Sequence, residues 1–372
     1  MKPETIALRS THFKDSNAAA VVSPLYFSTT FERDQNYELP HGYLYARAGN
    51  PNRQQLETAL TALEGGAVAM AFASGQAATM TLFQCLKPGD HVIVPDDAYY
   101  GTPSLLQDFF VSWGLTFSKV DTTSLEVIEA AIRPETKLIW LETPSNPMLK
   151  VCDVAAIAAL TREHNIVSAC DNTWATPLLQ RPLDLGCDVV MHSTTKYLSG
   201  HSDVLSGALI FKENNELAAR ARQIQTLGGA VPSPFDCWMV ARGIKTLAVR
   251  VRQQSANAQQ LAEFLEKHGS VECVHYPGLA SHPGYEIAQQ QMAHAGGMLS
   301  VQIKGDGPNA LRFLNRLQLF TKATSLGGVE SLIEHRASVE GLDTLTPTNL
   351  LRISVGLEHI DDLIDDMAQA LA

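Results

Sequence analysis

The chain contains 372 residues, 45% of them hydrophobic, which is enough to bury a large core divided into two or three domains. Its 28 Lys and Arg residues against 39 Asp and Glu residues leave a formal net charge of -11, which argues against nucleic acid and anionic lipid as partners because both repel a negative surface. No apolar run reaches the roughly 18 residues of a membrane span, and residues 1–15 lack the apolar centre of a secretory signal, so we predict a cytoplasmic protein with no membrane partner.

The first 50 residues are predicted to form an irregular arm. They contain Pro24, Pro40 and Gly42 together with many aromatic side chains, and they show no periodic apolar pattern. Such a segment cannot build a core of its own, so we expect it to wrap another part of the molecule or a neighbouring subunit.

From residue 51 onward, short apolar runs rich in β-branched residues alternate with helical patterns. The predicted strands are 67–73, 91–95, 115–120, 137–142, 166–171, 188–192 and 204–211, and the clearest helices between them are 75–86, 124–132 and 153–164. Strands that are apolar on both faces and separated by helices indicate an α/β domain with a mostly parallel sheet. Functional residues in such sheets collect at the carboxyl ends of the strands.

A long helix over residues 235–268 is predicted to connect this sheet to a smaller α+β domain. That domain contains predicted strands at 271–276, 297–303 and 351–355 and helices at 308–317 and 360–370. We therefore divide the chain into an arm (1–50), an α/β domain (51–240) and a C-terminal α+β domain (241–372).

The six cysteines do not form a C-x-x-C pair, and several of them lie in apolar runs. This distribution is typical of buried free thiols in a reducing compartment. It predicts neither a disulfide framework nor a metal site.

The segment HSTTKYLSGH, residues 192–201, contains the most informative lysine, because it follows a predicted buried strand directly. The amine of Lys196 can form a Schiff base with an aldehyde, and the hydroxyls of Ser193 and Thr195 can donate hydrogen bonds to a phosphate. Pyridoxal 5'-phosphate (PLP) carries both groups. A surface lysine in a Ser/Thr-rich loop gives the same pattern, so this segment alone does not establish the site.

A second segment places Asp171 at the end of the predicted strand 166–171. A buried carboxylate needs a cationic partner, and the protonated pyridine nitrogen of PLP is one. The alternative is an aspartate that caps a helix, which is common. Asp171 by itself leaves both interpretations open.

Two further strand ends have the composition that such a cofactor needs. Gly75 and Gln76 lie in a turn of small residues from a strand into a helix, where a phosphate can approach free backbone N–H groups. Tyr99 follows the strand 91–95, where an aromatic ring can stack on a flat cofactor. Tight helix packing and a tyrosine at the rim of the core explain these features equally well.

In this order, around one lysine, the segments resemble the Cys/Met-metabolism family of PLP enzymes, which includes cystathionine γ-synthase, γ-lyase and β-lyase and methionine γ-lyase. The resemblance runs from about residue 19 to the C-terminus. The motifs that carry it are YARAGNP (45–51), SGQA (74–77), AY (98–99), ETPSNP (142–147), DNT (171–173), STTKY (193–197), TSLGG (324–328) and LRISVGLE (351–358).

The resemblance implies an aspartate-aminotransferase-like fold of type I and a homotetramer built as a dimer of active dimers. In that family Tyr45 and Arg47 correspond to residues that reach the phosphate of the neighbouring subunit's cofactor. Asn146 corresponds to the residue that binds the phenolic oxygen of PLP. Arg352 corresponds to the arginine that binds the substrate carboxylate, and Ser325 to a residue that steadies the catalytic lysine.

We accordingly predict PLP-dependent elimination or replacement at Cγ of an amino acid, with Lys196, Tyr99 and Asp171 as catalytic residues. Methionine γ-lyase, another γ-lyase for homoserine derivatives, cystathionine β-lyase and a non-catalytic PLP-binding regulator remain alternatives. The sequence departs from the known subtypes of this family at two positions, which keeps the subtype open. Thr324 replaces the glutamate that is typical of cystathionine γ-synthases and γ-lyases. Gly101 is followed directly by Thr102, so the cysteine that methionine γ-lyases have between these two residue types is absent. Beyond the TSLGG motif, the charged side chains of Glu330, Glu334, His335 and Arg336 are predicted either to shape the pocket or to lie on an exposed helix face.

Overall fold

The computed structural model describes residues 1–12, 15, 18–340 and 346–372. In this part of the chain the backbone forms a seven-stranded sheet and a five-stranded sheet. The strands of the larger sheet are β1 (Val68–Phe72), β2 (His91–Pro95), β3 (Thr116–Val120), β4 (Thr136–Glu142), β5 (Val167–Asp171), β6 (Val189–His192) and β7 (Gly207–Phe211).

The larger sheet has the order β1-β7-β6-β5-β4-β2-β3, and of its strands β7 runs opposite to the rest. Both faces are covered by apolar side chains. Leu138 and Trp140 of β4 pack into one hydrophobic cluster, whereas Ile139 and Leu141 pack into another. This burial on two faces explains why the strands read as continuous apolar runs. The prediction of a mostly parallel α/β sheet is confirmed.

Helices connect and cover these strands, and several begin at a capping side chain. Asn50 accepts hydrogen bonds from the backbone N–H groups of Asn52 and Arg53 at the start of α2, and Ser74 does the same for Ala77 at the start of α3. The helices of this part are α1 (Pro3–Arg9), α2 (Pro51–Glu64), α3 (Gly75–Gln84), α4 (Gly101–Leu105), α5 (Leu125–Ala131), α6 (Val154–Glu163), α7 (Thr176–Leu179), α8 (Glu216–Gly228), α9 (Pro234–Ile244) and α10 (Leu247–Glu266), with a π-helical turn at Leu106–Phe110.

The smaller sheet has the order β10-β11-β12-β9-β8 and forms the second, smaller domain. Its core is a separate cluster that includes Leu299, Ile353 and Met367. Its elements are β8 (Val271–His275), α11 (Tyr285–Gln291), β9 (Met298–Ile303), α12 (Gly307–Arg316), β10 (Thr321–Lys322), β11 (Leu332–His335), α13 (Ala337–Glu340), β12 (Leu350–Ser354) and α14 (Ile360–Leu371). The predicted domain boundaries at residues 50 and 240 stay a prediction.

The single long helix expected at 235–268 is wrong, because α9 ends at Ile244 and α10 begins at Leu247. Gly243 lies so close to the loop after Lys196 that a Cβ atom there would be 2.2 Å from the carbonyl oxygen of Ser199. The break lets Arg250 donate hydrogen bonds to the carbonyl oxygens of Tyr197 and Gly243. The connection therefore supports the lysine loop as well as joining the domains.

The arm is less irregular than its composition suggests, since it begins with α1. Ala7 of this helix is buried in the same hydrophobic cluster as Leu56 of α2. Further along, Trp238 donates a hydrogen bond to the carbonyl oxygen of Ser23. Within the described ranges, every helix is too short or too polar to cross a bilayer.

Candidate active site

A cavity of about 390 Å³ lies where β4, β5 and β6 end, between the larger sheet and residues of the smaller domain. It is the meeting point that parallel strand ends create. Of the residues singled out from the sequence, it is lined by Gly75, Gln76, Tyr99, Asn146, Asp171, Ser193, Thr195, Lys196, Ser325 and Arg352. Tyr45 and Arg47 lie outside it.

Lys196 lies in the loop after β6, and its side chain points into this cavity. Its Nζ donates a hydrogen bond to Ser325 Oγ, 2.8 Å away. Burial, and then the positive charge of Arg352, lower the pKa of Lys196 to about 8, although Glu334 acts in the opposite direction. More of this amine is therefore uncharged at neutral pH than in an exposed lysine, as nucleophilic attack and proton abstraction require.

Ser325 has a backbone conformation that side-chain-bearing residues rarely adopt, with φ at 93°. Its carbonyl oxygen accepts a hydrogen bond from Arg352 Nη2, 3.1 Å away, while its hydroxyl faces Lys196. Strained positions of this kind concentrate at functional sites because the surrounding structure must hold them in place. Ser325 thus joins the lysine and the arginine of the cavity.

Asp171 is the last residue of β5 and is buried. Its Oδ1 accepts a hydrogen bond from the backbone N–H of Thr173, 2.9 Å away, which is the Asx turn expected at a strand end. Burial raises the pKa of Asp171, against the hydrogen bonds from Thr173 and the charge of His192. A cation in the cavity would stabilise the ionised form of this buried carboxylate.

At the start of α3 the backbone of Gly75 lies close to the side chain of Ser193. A Cβ atom at Gly75 would lie 2.9 Å from the Cβ of Ser193 and 3.1 Å from its hydroxyl oxygen, so only glycine fits there. The Thr195 hydroxyl donates to the carbonyl oxygen of Ser206, at 3.0 Å, and accepts from the Ser206 N–H, at 2.9 Å. The expected arrangement of small residues and hydroxyls at a helix start is present, with Thr195 also bonded to the backbone of Ser206.

Tyr99 reaches the cavity from the segment that follows β2. Its backbone N–H donates to Glu142 Oε2 at 2.9 Å, and its ring lies 4.8 Å from that of Tyr100, centroid to centroid. Burial, followed by the neighbouring Tyr100, raises the pKa of Tyr99 to about 12. Burial and the nearby Asp171 also raise the pKa of Glu142 well above its usual range. The hydrogen bond from Tyr99 is a role for Glu142 that the sequence did not reveal.

Arg352 lies on β12 and is buried almost completely. Its Nη1 donates to Asn146 Oδ1 at 3.0 Å, and its Nη2 donates to Glu334 Oε2 at 2.8 Å. Burial, and then the charge of Arg336, lower the pKa of Arg352 to about 10, while Glu334 opposes this shift. The guanidinium is held from both domains and lines the cavity.

The alternative that placed Glu330, Glu334, His335 and Arg336 on an exposed helix face is wrong. Leu332–His335 form the strand β11, and the side chains of Glu334 and Arg336 are buried. Arg336 lines the cavity. The apolar pair Leu332 and Ile333 was the available signal for a strand, but two apolar residues do not distinguish strand from helix.

A sequence profile of the family described as "Cys/Met metabolism PLP-dependent enzyme" matches residues 4–372. The chain belongs to this family of PLP enzymes. Its members carry out PLP-dependent elimination and replacement reactions of sulfur amino acids.

Three relatives in this PLP family show how widely the reactions differ on one fold. The "Cystathionine gamma-synthase" of Mycobacterium tuberculosis is 48% identical over 375 residues, covering 99% of this chain and 96% of the relative. The "Cystathionine beta-lyase" of Coxiella burnetii is 46% identical over 366 residues, covering 96% of this chain and 94% of the relative. The solved structure of CalE6, "a methionine gamma lyase from Micromonospora echinospora", has 40% identity and a TM-score of 0.95 and covers 100% of this chain and 99% of that one.

The cavity fits the cofactor of the Cys/Met family on structural grounds. It contains a lysine amine with a lowered pKa, a buried carboxylate that a cation would stabilise, and a glycine-lined helix start beside two hydroxyl side chains. These are the three groups that an aldehyde, a protonated pyridine and a phosphate need.

Tyr45 and Arg47 are exposed, and neither lies at the cavity of its own chain. The guanidinium carbon of Arg47 lies 6.0 Å from the centre of the Tyr45 ring, and Tyr45 forms an isolated β-bridge with Thr30. Half of the Tyr45 side chain (49%) is exposed. Two conspicuous residues of a family motif are therefore presented on the surface of the single chain.

Proposed function

We propose that this enzyme catalyses elimination or replacement at Cγ of a γ-substituted amino acid, as in cystathionine γ-synthases and γ-lyases. The observation that carries the proposal is the hydrogen bond between Lys196 and Ser325 beside Arg352. Reaction at Cγ requires one base to remove protons from two successive carbons while the substrate carboxylate stays fixed. A mobile lysine steadied by Ser325, next to a guanidinium held by both domains, meets this requirement.

The residues that would hold PLP lie at four strand ends. Lys196 would bind its aldehyde, Asn146 its phenolic oxygen, and Asp171 its ring nitrogen. The backbone N–H groups of Gly75 and Gln76, with the hydroxyl of Ser193, would bind its phosphate. The Thr195 hydroxyl would join them by turning its proton from the Ser206 carbonyl oxygen to the phosphate. When bound, PLP supplies an electron sink for the negative charge that develops at Cα and Cβ of the substrate.

Each protein group then has a defined task in the reaction. Arg352 would orient the substrate by binding its carboxylate, a task for which a guanidinium fork is suited. Tyr99 would stack over the cofactor ring. To accept a proton from the incoming substrate amine its phenol must be ionised, which its raised pKa opposes in the cofactor-free chain. The Nζ of Lys196 would remove the proton at Cα of the substrate and then one at Cβ. Asp171 would hold the proton on the ring nitrogen of the cofactor.

Beta-elimination of cystathionine is the second candidate, because one relative that is 46% identical is named for that reaction. Methionine γ-lyase activity is a further alternative, because a solved structure that is 40% identical is described as a methionine gamma lyase. The products separate these reactions. Incubation with cystathionine is expected to yield 2-oxobutyrate and cysteine, and O-acylhomoserine with cysteine is expected to yield cystathionine; mass spectrometry reads both. Pyruvate and homocysteine as the main products would contradict the proposal.

Thr324 offers a direct test of how the enzyme treats the distal ammonium of cystathionine. This residue lines the cavity where related cystathionine enzymes place a glutamate. Thr324→Glu is expected to raise kcat/KM for cystathionine by about tenfold, since a carboxylate near an ammonium contributes on the order of 1 kcal/mol or more when partly desolvated. Glutamine has nearly the same shape as glutamate but no charge, so Thr324→Gln should give no such gain in kcat/KM. Equal gains for both variants would show that charge is not the cause.

We further propose a cytoplasmic homotetramer assembled from two active dimers, with a small amino acid as substrate and no nucleic acid partner. Tyr45 and Arg47 support the sharing of sites, because they are exposed and outside the cavity of their own chain. In the dimer they would reach the phosphate site of the neighbouring subunit.

Mixing two inactive variants tests this shared site. Arg47→Ala removes the arm's contribution, and Lys196→Ala removes the lysine of the cavity. Hybrids of the two should regain up to about a quarter of the activity, since some sites then combine both intact groups. The hybrids are verified with two affinity tags, and Lys196→Ala mixed with itself is the control. Verified hybrids without activity would rule out shared sites.

A further inference from the structure

Four charged side chains form a buried chain next to the cavity, in the order Arg352, Glu334, Arg336 and Glu340. Glu334 Oε2 lies 2.8 Å from Arg352 Nη2 and 2.8 Å from Arg336 Nη1. Arg336 Nη2 lies 2.6 Å from Glu340 Oε1. The side chains of Arg352, Glu334 and Arg336 are 4%, 8% and 2% exposed. Water therefore screens these charges weakly.

The strand register brings the first two members together. Glu334 of β11 is the direct partner of Arg352 in β12, and directly opposed residues in an antiparallel pair place their side chains on the same face. Arg336 follows β11 and lines the cavity, where its charge also acts on Tyr99 and Glu142. Arg352 and Arg336 bond to the same oxygen of Glu334, so the electrostatics of the two arginines are linked.

This arrangement creates an electrostatic problem for an arginine that binds a carboxylate. Glu334 orients Arg352 by a hydrogen bond, but its negative charge opposes an incoming anion at the same guanidinium. At such short range in a buried site this opposition is substantial. The cation of Arg336, bonded to the same oxygen, offsets that charge locally. Glu340 bonds to another edge of Arg336 and brings the sum of the four charges to zero.

We propose that Arg336 is a positioning residue that acts through Glu334, cancelling its charge so that Arg352 can bind the substrate carboxylate. The inference rests on the role proposed above for Arg352. It adds a determinant of substrate affinity that lies outside the motifs that identify the family. The proposal makes an electrostatic prediction. The carboxylate binding that is weakened by removing Arg336 should recover when the charge of Glu334 is removed as well.

The experiment compares Arg336→Gln, Glu334→Gln and the double variant in the PLP-loaded enzyme. Glu334→Gln keeps the shape of the side chain and removes its charge, whereas Arg336→Gln removes the charge together with the guanidinium that bonds to Glu334 and Glu340. Binding of L-norleucine and of L-norleucinamide, read from the visible absorbance of the cofactor, gives the preference for a carboxylate over a neutral amide. KM and kcat are measured with the substrate that the product assay identifies.

Arg336→Gln is expected to lower the acid-over-amide preference about tenfold and to raise KM by a similar factor. We expect kcat to stay within about threefold of the original, because Arg352 binds the substrate carboxylate equally in the ground state and in the transition state. The double variant is expected to recover to within about threefold of the original preference. A double variant as impaired as Arg336→Gln would overturn the proposal, as would a single variant without effect.

Two further measurements keep the outcome interpretable. If Arg336→Gln does not fold, the single variant Glu334→Gln is the test. Removing the anion at Glu334 must leave the preference for a carboxylate equal to or above that of the original enzyme. A tenfold fall in this preference would contradict the proposal. Arg352→Gln tests the underlying assignment. If it leaves the preference unchanged, Arg352 is not the carboxylate site and the proposed function loses its anchor, whereas failure of the recovery alone rejects only the role of Arg336.

Discussion

Replacing Lys196 with alanine is expected to lower kcat by about 10³-fold or more while the protein stays folded, because the variant loses its proton-transferring base. The lysine is the residue of the cavity whose amine is both buried and lowered in pKa, to about 8. Within the described residues the Lys196 side chain bonds to Ser325, so the substitution removes little structure. Thermal unfolding of the cofactor-free chain should change by no more than a few degrees.

Borohydride reduction locates the lysine independently of activity. Treatment of the native enzyme should remove its visible absorbance and leave a reduced cofactor adduct on Lys196 in the peptide map. Lys212→Ala is the matched control, because this lysine is exposed and follows β7 at the edge of the same domain. The control should keep full activity. An adduct on any lysine other than Lys196 would refute the assignment.

Replacing Asp171 with asparagine is expected to lower kcat by about 10²- to 10³-fold, the cost of losing one pre-oriented electrostatic group in an active site. An amide cannot keep the ring nitrogen of the cofactor protonated. In the cofactor-free chain the effect on stability is expected to be opposite. Burial raises the pKa of Asp171 in the folded chain, so its ionisation reduces stability as the pH rises through that folded pKa. Asparagine removes this cost.

The test of Asp171 therefore has two readouts with different signs. Activity of the loaded enzyme should fall, whereas the melting temperature of the cofactor-free Asp171→Asn chain at neutral pH should equal or exceed that of the original chain. Asp188→Asn is the matched control, since Asp188 accepts a hydrogen bond from Ser168 at the opposite end of β5 and β6. It should leave kcat within about twofold. Normal turnover in Asp171→Asn would exclude its proposed role.

Much of the candidate site followed from the order of residues along the chain. Asp171 and Lys196 come directly after buried strands, and parallel strands end at one edge of the sheet, so these side chains had to meet near each other. The small residues at 74–77 had to lie at the same edge, because they too follow a strand. Local rules were sufficient here because each residue is positioned by the strand immediately before it.

Other parts of the site depend on contacts between distant segments. Arg352 bonds to Asn146 although 206 positions separate them, and the oxygen that joins Arg352 to Arg336 belongs to a strand of the second sheet. The break between α9 and α10 has the same origin, since Gly243 packs against the loop after Lys196.

The sequence alone therefore predicted the α/β fold and the cofactor class, both of which are confirmed, and it predicted Lys196 as the cofactor lysine, because short-range patterns encode strand ends and their side chains. It left undetermined the burial of Glu334 and Arg336, which read equally well as a solvated helix face. Their pairing follows from the register between β11 and β12 and from the low dielectric of the interior, and both exist only once the smaller sheet has formed and been buried.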